Sequence, residues 1–223
     1  MRSAAHALLL GCMWLLLGCG ATGLYGASTP RVSLARDAKL LPARARRLSN
    51  FELENSLASL TGLPVSIASE LPPDVRQEGY SPNAQQDVSS AWATRYATLT
   101  SELATRAAQH LSGDGGCHDL SAACRTRRVQ QLGRLAFRRS LSAAEQASFE
   151  QLLSEEADNG AGFADGLALL LRALLESPSF LYVTELGTGG AAGSATRLDD
   201  AELGSQLSFL LTGGPPDEEL LSA

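Results

Sequence analysis

Apolar residues recur at spacings of three and four along most of this 223-residue chain, which is the period of an amphipathic α-helix. No segment alternates apolar and polar residues in the way that convincingly indicates a β-strand. The spacing predicts helices over about residues 49–61, 87–112, 121–137, 142–158, 163–176 and 199–212, with another beginning near 217. The predicted fold class is therefore all-α, an irregular helical bundle of about six to seven helices.

Polar residues stand where several of these helices begin. Ser49 precedes Glu52 by three residues, and Ser142 precedes Glu145 by the same interval. This spacing is typical of a capping box, in which the two side chains bind backbone amides at the helix start. The segment 163–176 is the most apolar, so we expect the most buried helix there.

Proline and glycine interrupt the helical pattern in two places. Residues 62–86 contain four prolines and two glycines, which predicts a long Pro/Gly loop, either functional or packed over the core. Pro178 is expected to end the helix before it, because the residue preceding a proline disfavours helix. Trp92 and Tyr96 follow the loop at helical spacing and are predicted to be core residues rather than a stacking site.

The last two helices carry leucines at helical spacing. The first has Leu203, Leu207, Leu210 and Leu211, and the second has Leu220 and Leu221 as an apolar face that needs a partner surface. A Gly-Gly-Pro-Pro break separates the two helices, and the given sequence ends soon after the second begins. We expect residues 199–223 to pack less well than residues 120–180.

The N-terminal segment has the pattern of an export signal. An apolar run over residues 4–17 follows one positive charge and ends in Leu-Leu-Gly-Cys at 16–19, which resembles a bacterial lipobox. This predicts a lipoprotein signal peptide over 1–18, and a lipidated Cys19 with a flexible tether over 19–45. An uncleaved anchor helix is the alternative, although its glycines would make a poor membrane span.

Lipidation would place the protein in the cell envelope. Gly20 follows Cys19 where an inner-membrane retention signal would have Asp. The expected location is thus outside the cytoplasm, on the periplasmic side or the surface of the outer membrane. The remaining cysteines, Cys117 and Cys124, form an even pair, and in an exported chain a disulfide is the default. A metal site with His118 is the alternative, but it lacks a Cys-x-x-Cys pair.

Composition and charge restrict the partners. With 44% hydrophobic and 19% charged residues, the chain has a globular composition. Residues 1–139 carry 16 basic and 10 acidic side chains, and residues 140–223 carry 2 and 14. Without interleaved aromatic and basic residues, the basic part does not favour a nucleic-acid partner. The two parts could instead attract each other.

No catalytic constellation emerges from the sequence, and no cofactor-binding or metal-binding residue is predicted. Neither His110 nor His118 accompanies a nucleophile motif. The acidic pairs at 155–156 and 199–200 could in principle serve hydrolysis of a glycoside, but they fall at predicted helix ends. Arg138-Arg139 could bind an anion but is expected to complement the dipole of a helix C-terminus.

Three segments in this order resemble the planctomycete-specific, cytochrome-associated domains of unknown function, which also occur in myxobacteria. They are Arg46-Arg47-Leu48-Ser49 with Glu52, Leu135 to Leu141 with Glu145, and Leu174 to Glu185 followed by Arg197 to Leu221. Departures from the family pattern occur at Ser140, Ser179, Val183, Gln206 and Thr212. Any polar contact that arginines make at Ser179, Val183 and Gln206 in relatives would be missing.

The resemblance implies a first helical module over 46–112, a central one over 117–186 and the start of a third over 197–223. Larger relatives continue further, so we expect a fragment, a degenerate paralogue or a gene that ends early. The family's molecular function is unknown. We expect a lipid-anchored binding or scaffold protein whose partners are envelope proteins or cytochrome c domains. The alternative is part of an envelope enzyme whose catalytic residues lie downstream.

Overall fold

The computed structural model of the protein describes residues 44–113, 117–187 and 197–222. The predicted signal peptide, Cys19 and most of the tether lie outside these ranges. The described elements are β1 (Arg44–Arg47), α1 (Asn50–Thr61), α2 (Ser90–Leu111), α3 (Ala122–Phe137), α4 (Ala143–Asp158), α5 (Phe163–Leu175), α6 (Pro178–Leu181), β2 (Tyr182–Glu185), α7 (Asp200–Thr212) and α8 (Glu218–Ser222). The all-α fold class is confirmed, with a two-stranded sheet added to it. Within those ranges, no helix has the length and apolar character to cross a membrane.

The predicted capping boxes are confirmed at α1 and α4. Ser49 Oγ accepts from the amide of Glu52, and the Glu52 carboxylate accepts from the amide of Ser49. Ser142 and Glu145 make the same reciprocal pair. Local sequence therefore fixes where these two helices begin.

α5 lies at the centre of the core, as predicted. Its leucines at 167, 170, 171, 174 and 175 are all at most 2% exposed. α2 packs along it, and Tyr96 of α2 donates its hydroxyl to the carbonyl of Leu175 at 2.8 Å. Trp92 and Tyr96 are both buried and stack on each other, with ring centroids 4.8 Å apart. Both are core residues, as the helical spacing predicts.

The long loop packs over the core. Ile67 and Leu71 of the loop are buried, and the carboxylate of Asp74 accepts hydrogen bonds from the Arg47 guanidinium and the amide of Asn50. Asn83 bridges several carbonyls within the loop. The loop is therefore attached to α1 by its own polar groups.

The short sheet is a feature that the sequence pattern misses. β1 pairs antiparallel with β2, so that Arg44 lies opposite Glu185 and Arg47 opposite Tyr182. Four residues are too few for an alternating pattern to stand out, and the strands are more than 130 positions apart in sequence. An Arg44–Glu185 ion pair joins their ends. The pairing draws the beginning of α1 next to the end of α6.

α5 ends ahead of Pro178, as predicted, with its last residue at Leu175. Ser177, before the proline, is extended, and Pro178 opens the short helix α6. Proline suits the first position of a helix, because the amide it lacks would have no intrahelical partner there. The tight α5–α6 connection then turns the chain into β2.

Candidate functional site

Arg138 fastens the end of α3 to the turn between α6 and β2. It is the C-terminal cap of α3, with a left-handed φ of 58°, and its guanidinium is buried. One terminal nitrogen donates to the carbonyls of Ala136 and Phe180, both at 3.1 Å, and the other to those of Ser179 and Tyr182, both at 2.8 Å. The sequence places Arg138 correctly at a helix end, but three of these carbonyls belong to α6 and β2, which are distant in sequence.

The electrostatic surroundings of Arg138 are unusual for a buried cation. Burial lowers its pKa to about 10, with smaller contributions from Arg139 and Arg46, whereas Glu52 raises it. The group is still protonated at neutral pH. The ring of Phe209, on α7, lies between the two buried arginines, 5.7 Å from the Arg138 guanidinium carbon and 6.0 Å from that of Arg46. Cation–π attraction thus helps to hold α7 on the core.

Arg139 has a different role. Its guanidinium forms two hydrogen bonds to the Glu145 carboxylate, at 2.8 and 2.7 Å. The pKa of Glu145 is lowered to about 2, first by this pair and then by hydrogen bonds from Ser142. Both Arg139 and Arg138 are therefore engaged in contacts within the fold rather than held ready for an anion.

A cleft of about 430 Å³ lies between the end of α3, β2 and α7. Arg138 and Arg139 line one side, and Asp199 and Glu202 the other. The Glu202 carboxylate accepts hydrogen bonds from two successive backbone amides that follow β2, both at 2.8 Å. Its lining residues include neither His nor Cys, the usual general bases and nucleophiles. Of its charged groups, Glu202 ties α7 to the chain after β2, and Arg138 lies against Phe209 of α7.

The outer surface of α7 is apolar. Leu203 and Leu207 are each 46% exposed, and Leu210 and Leu211 are 80% and 78% exposed. The buried residues of α7 are instead Ser205, Ser208 and Phe209. Leu220 of α8, which is 44% exposed, lies beside Gly204 in the middle of α7. We call Leu203, Leu207, Leu210, Leu211 and Leu220 the leucine face.

The leucine face shows which way α7 is turned. Its α7 leucines point away from the core. The inner position is taken by Phe209, between two arginines that the helical period alone does not locate. The last segment packs less well than residues 120–180, as expected.

Acidic residues border the leucine face. Asp200, Glu218 and Glu219 are exposed beside it. α8 is tied to α3 by Arg134, which pairs with Glu218 at 3.5 Å and donates to the carbonyl of Leu221 at 2.6 Å. Both this pair and Arg139–Glu145 join the basic part of the chain with the acidic part, as does Arg44–Glu185.

The two cysteines that the structure describes, Cys117 and Cys124, lie together. Cys117 and Cys124 are paired in a disulfide with a Cα–Cα distance of 5.5 Å, and Cys117 is buried. A terminal nitrogen of Arg127 lies 3.6 Å from the Cys117 sulfur. Within the part of the chain that the structure covers, no group of three or more His, Cys, Asp or Glu side chains could hold a metal.

The acidic pairs also lie apart from any catalytic arrangement. Asp199 caps α7 through the amide of Glu202 at 2.7 Å, and Asp200 is exposed in the first turn. Glu155 is exposed near the end of α4 and accepts a hydrogen bond from Gln151. These carboxylates are explained by helix termini and solvent.

Fold and surfaces together define a helical protein whose most conspicuous exposed feature is an apolar helix face. Two family models match the chain: PSD3, a protein of unknown function (DUF1587), over residues 46–109, and PSD5, a protein of unknown function (DUF1595), over residues 124–185. Together they cover more than half of the sequence, and the chain belongs to this planctomycete-specific, cytochrome-associated domain set. No curated protein and no solved structure matches it. α7 and α8 lie outside both matched ranges.

Proposed function

We propose that this protein is an exported, lipid-anchored binding or scaffold component of a cell-envelope assembly, and that the leucine face is its docking surface. The observation that carries the proposal is the exposure of four leucines on the outer side of α7. The family itself is known only as one of unknown function.

The energetics of the leucine face favour a docking role. Burying a fully exposed leucine side chain contributes about 1.5–3 kcal/mol. Covering the five partly exposed leucines of this face would therefore supply a large part of a binding energy. Scattered exposed leucines are ordinary on a monomer, whereas contiguous apolar patches are typical of interaction sites. The polar border supports the same interpretation, because interfaces commonly combine an apolar centre with a polar rim.

The envelope location is supported by the lipobox and by the cysteine pair. Cys19 follows an apolar run of signal-peptide length. Disulfides such as Cys117–Cys124 persist in oxidising compartments. A c-type cytochrome domain is the first partner to examine, since the domain set is associated with cytochromes.

The docking proposal is tested by titrating a c-type cytochrome domain from the same organism against the full mature chain. Leu207→Gln/Leu210→Gln should weaken binding at least tenfold. Val75→Gln/Tyr80→Gln is the matched control, because it changes two exposed apolar residues on the loop of 62–86. Equal binding by the leucine variant and the unchanged chain would count against the leucine face as the docking surface.

Lipid attachment has its own test. Cells expressing the full chain are labelled with a radioactive fatty acid, and Cys19→Ser is compared with Cys12→Ser. Cys12 lies within the apolar run and lacks the lipobox context, so only Cys19→Ser should abolish the label. Label retained in Cys19→Ser would exclude this anchor.

A further inference from the structure

The chemistry of the partner can be inferred from the surroundings of the leucine face. This step rests on the proposed function, because it presupposes that the leucine face docks a protein. Its leucines on α7 occupy positions i, i+4, i+7 and i+8 and span about 12 Å along the helix axis. That is about two turns, which matches the contact length of another helix rather than of a flat surface.

The shape of α7 suits insertion of a side chain from a second helix. Leu203, Gln206, Leu207 and Leu210 stand at i, i+3, i+4 and i+7. Four residues at this spacing form the hole that accepts a knob in helix–helix packing. At Gly204, which has no side chain, Leu220 of α8 packs against α7, 3.9 Å from where a Cβ would stand. Leu220 thereby extends the apolar surface beside α7.

Charge selects among the occupants that an apolar face could take. Residues 199–222 contain Asp199, Asp200, Glu202, Asp217, Glu218 and Glu219 and no Lys, Arg or His. Arg134 of α3 pairs with Glu218, which leaves Asp200 and Glu219 as the exposed acids of the border. A second copy docked through the same face would bring these like charges together, and like-charge contacts at an interface are costly. An anionic lipid surface would meet the same repulsion.

We propose that the leucine face binds an amphipathic helix of a partner protein whose apolar stripe is bordered by Lys or Arg. The acidic border then attracts the partner and sets its orientation, while the leucines supply the affinity. The recognition is that of a helix laid along a helical surface.

Two synthetic helical peptides with the same leucine stripe test the proposal, one bordered by lysines and one by glutamates. Their binding to the full mature chain is measured by calorimetry at low and high salt. We expect the lysine peptide to bind at least tenfold more tightly at low salt, and this advantage to shrink as salt screens the charges.

Two variants separate the charge from the apolar contact. Asp200→Asn/Glu219→Gln, which changes two exposed border residues, should remove the preference for lysine and keep the remaining binding. Leu207→Gln/Leu210→Gln should abolish binding of both peptides.

Distinct results would overturn the inference and the proposed function. Equal binding of both peptides, with both sensitive to the leucine variant, would contradict the basic partner and leave the docking surface in place. A different outcome is that the chain self-associates in sedimentation or binds anionic vesicles, and loses that behaviour in the leucine variant. Either result would also contradict the basic partner and leave the docking surface in place. Peptide binding that the leucine variant does not affect would contradict the docking surface itself.

Discussion

α5 and α7 are helices of the same length, 13 residues, and both are rich in leucine, yet their environments are opposite. Five leucines of α5 are buried, whereas four leucines of α7 are exposed. α5 is enclosed by α2, α3 and α4, while α7 touches β2 and α8. Leucine periodicity therefore identifies the apolar face of a helix. Whether that face is buried is determined by the elements that lie next to it.

The two helices are also held by different forces. α5 is fixed by packing of aliphatic side chains, which is proportional to apolar area and needs no particular partner atom. α7 is fixed by Phe209 between Arg46 and Arg138 and by the Glu202 carboxylate on the amides after β2. These directional contacts leave the outer leucines free of the core.

The largest difference is expected from matched truncations in the two helices. Leu171→Ala removes a fully buried side chain from α5, and should lower the free energy of unfolding by about 2–5 kcal/mol. Leu211→Ala, the same change on α7, should lower it by less than about 0.5 kcal/mol, because the side chain is exposed. Denaturant unfolding of both variants measures the comparison. Similar losses for both would show that α7 contributes to the core.

Removal of the Arg138 guanidinium should affect the attachment of α7 more than α5. Arg138→Met keeps much of the side-chain length but leaves four carbonyls without their donor. We expect a loss of about 2–3 kcal/mol in unfolding free energy. Relative to the unchanged chain, hydrogen exchange should speed up more in α7 than in α5. Arg139→Met, at a half-exposed ion pair, should cost less than about 1 kcal/mol. If the exchange rate in α7 were unchanged, Arg138 would not be what attaches α7 to the core.

Acid should act at α4, away from both leucine-rich helices. The folded pKa of Glu145 is about 2, below its ordinary value of 4.5. Its contribution to stability is therefore complete above pH 4.5 and is lost as the pH falls toward 2. Solvent screens the pair, so Glu145→Gln should cost less than about 1 kcal/mol at neutral pH. The difference between the variant and the unchanged chain should shrink with acid, and a constant difference from pH 7 to 2.5 would contradict the pair.

The smallest effect on stability belongs to the leucine face itself. Leu210→Gln should change the free energy of unfolding by no more than about 0.5 kcal/mol, since glutamine is also a good helix former and the side chain is exposed. Its matched counterpart is Leu170→Gln on α5, which should unfold the chain or reduce expression. A large loss of stability in the α7 variant would mean that its outer side is covered within the monomer.

Features governed by neighbouring residues could be predicted from the sequence, and those governed by distant ones could not. The capping boxes at Ser49 and Ser142 and the buried α5 follow from local spacing. The β1–β2 pairing and the cluster of carbonyls around Arg138 join segments more than 40 residues apart, and no local pattern encodes them. The orientation of α7 is not encoded locally either, because its buried Phe209 lies against Arg46 and Arg138, which are distant in sequence.

Solvent access to leucine methyl groups tests the central claim most directly. A soluble paramagnetic agent is added to the mature chain with labelled leucines, and methyl relaxation is measured by NMR. The account predicts strong relaxation at Leu210 and Leu211 of α7 and protection at Leu170 and Leu171 of α5. Equal protection of the leucines in the two helices would contradict an exposed leucine face and, with it, the docking surface proposed for this protein.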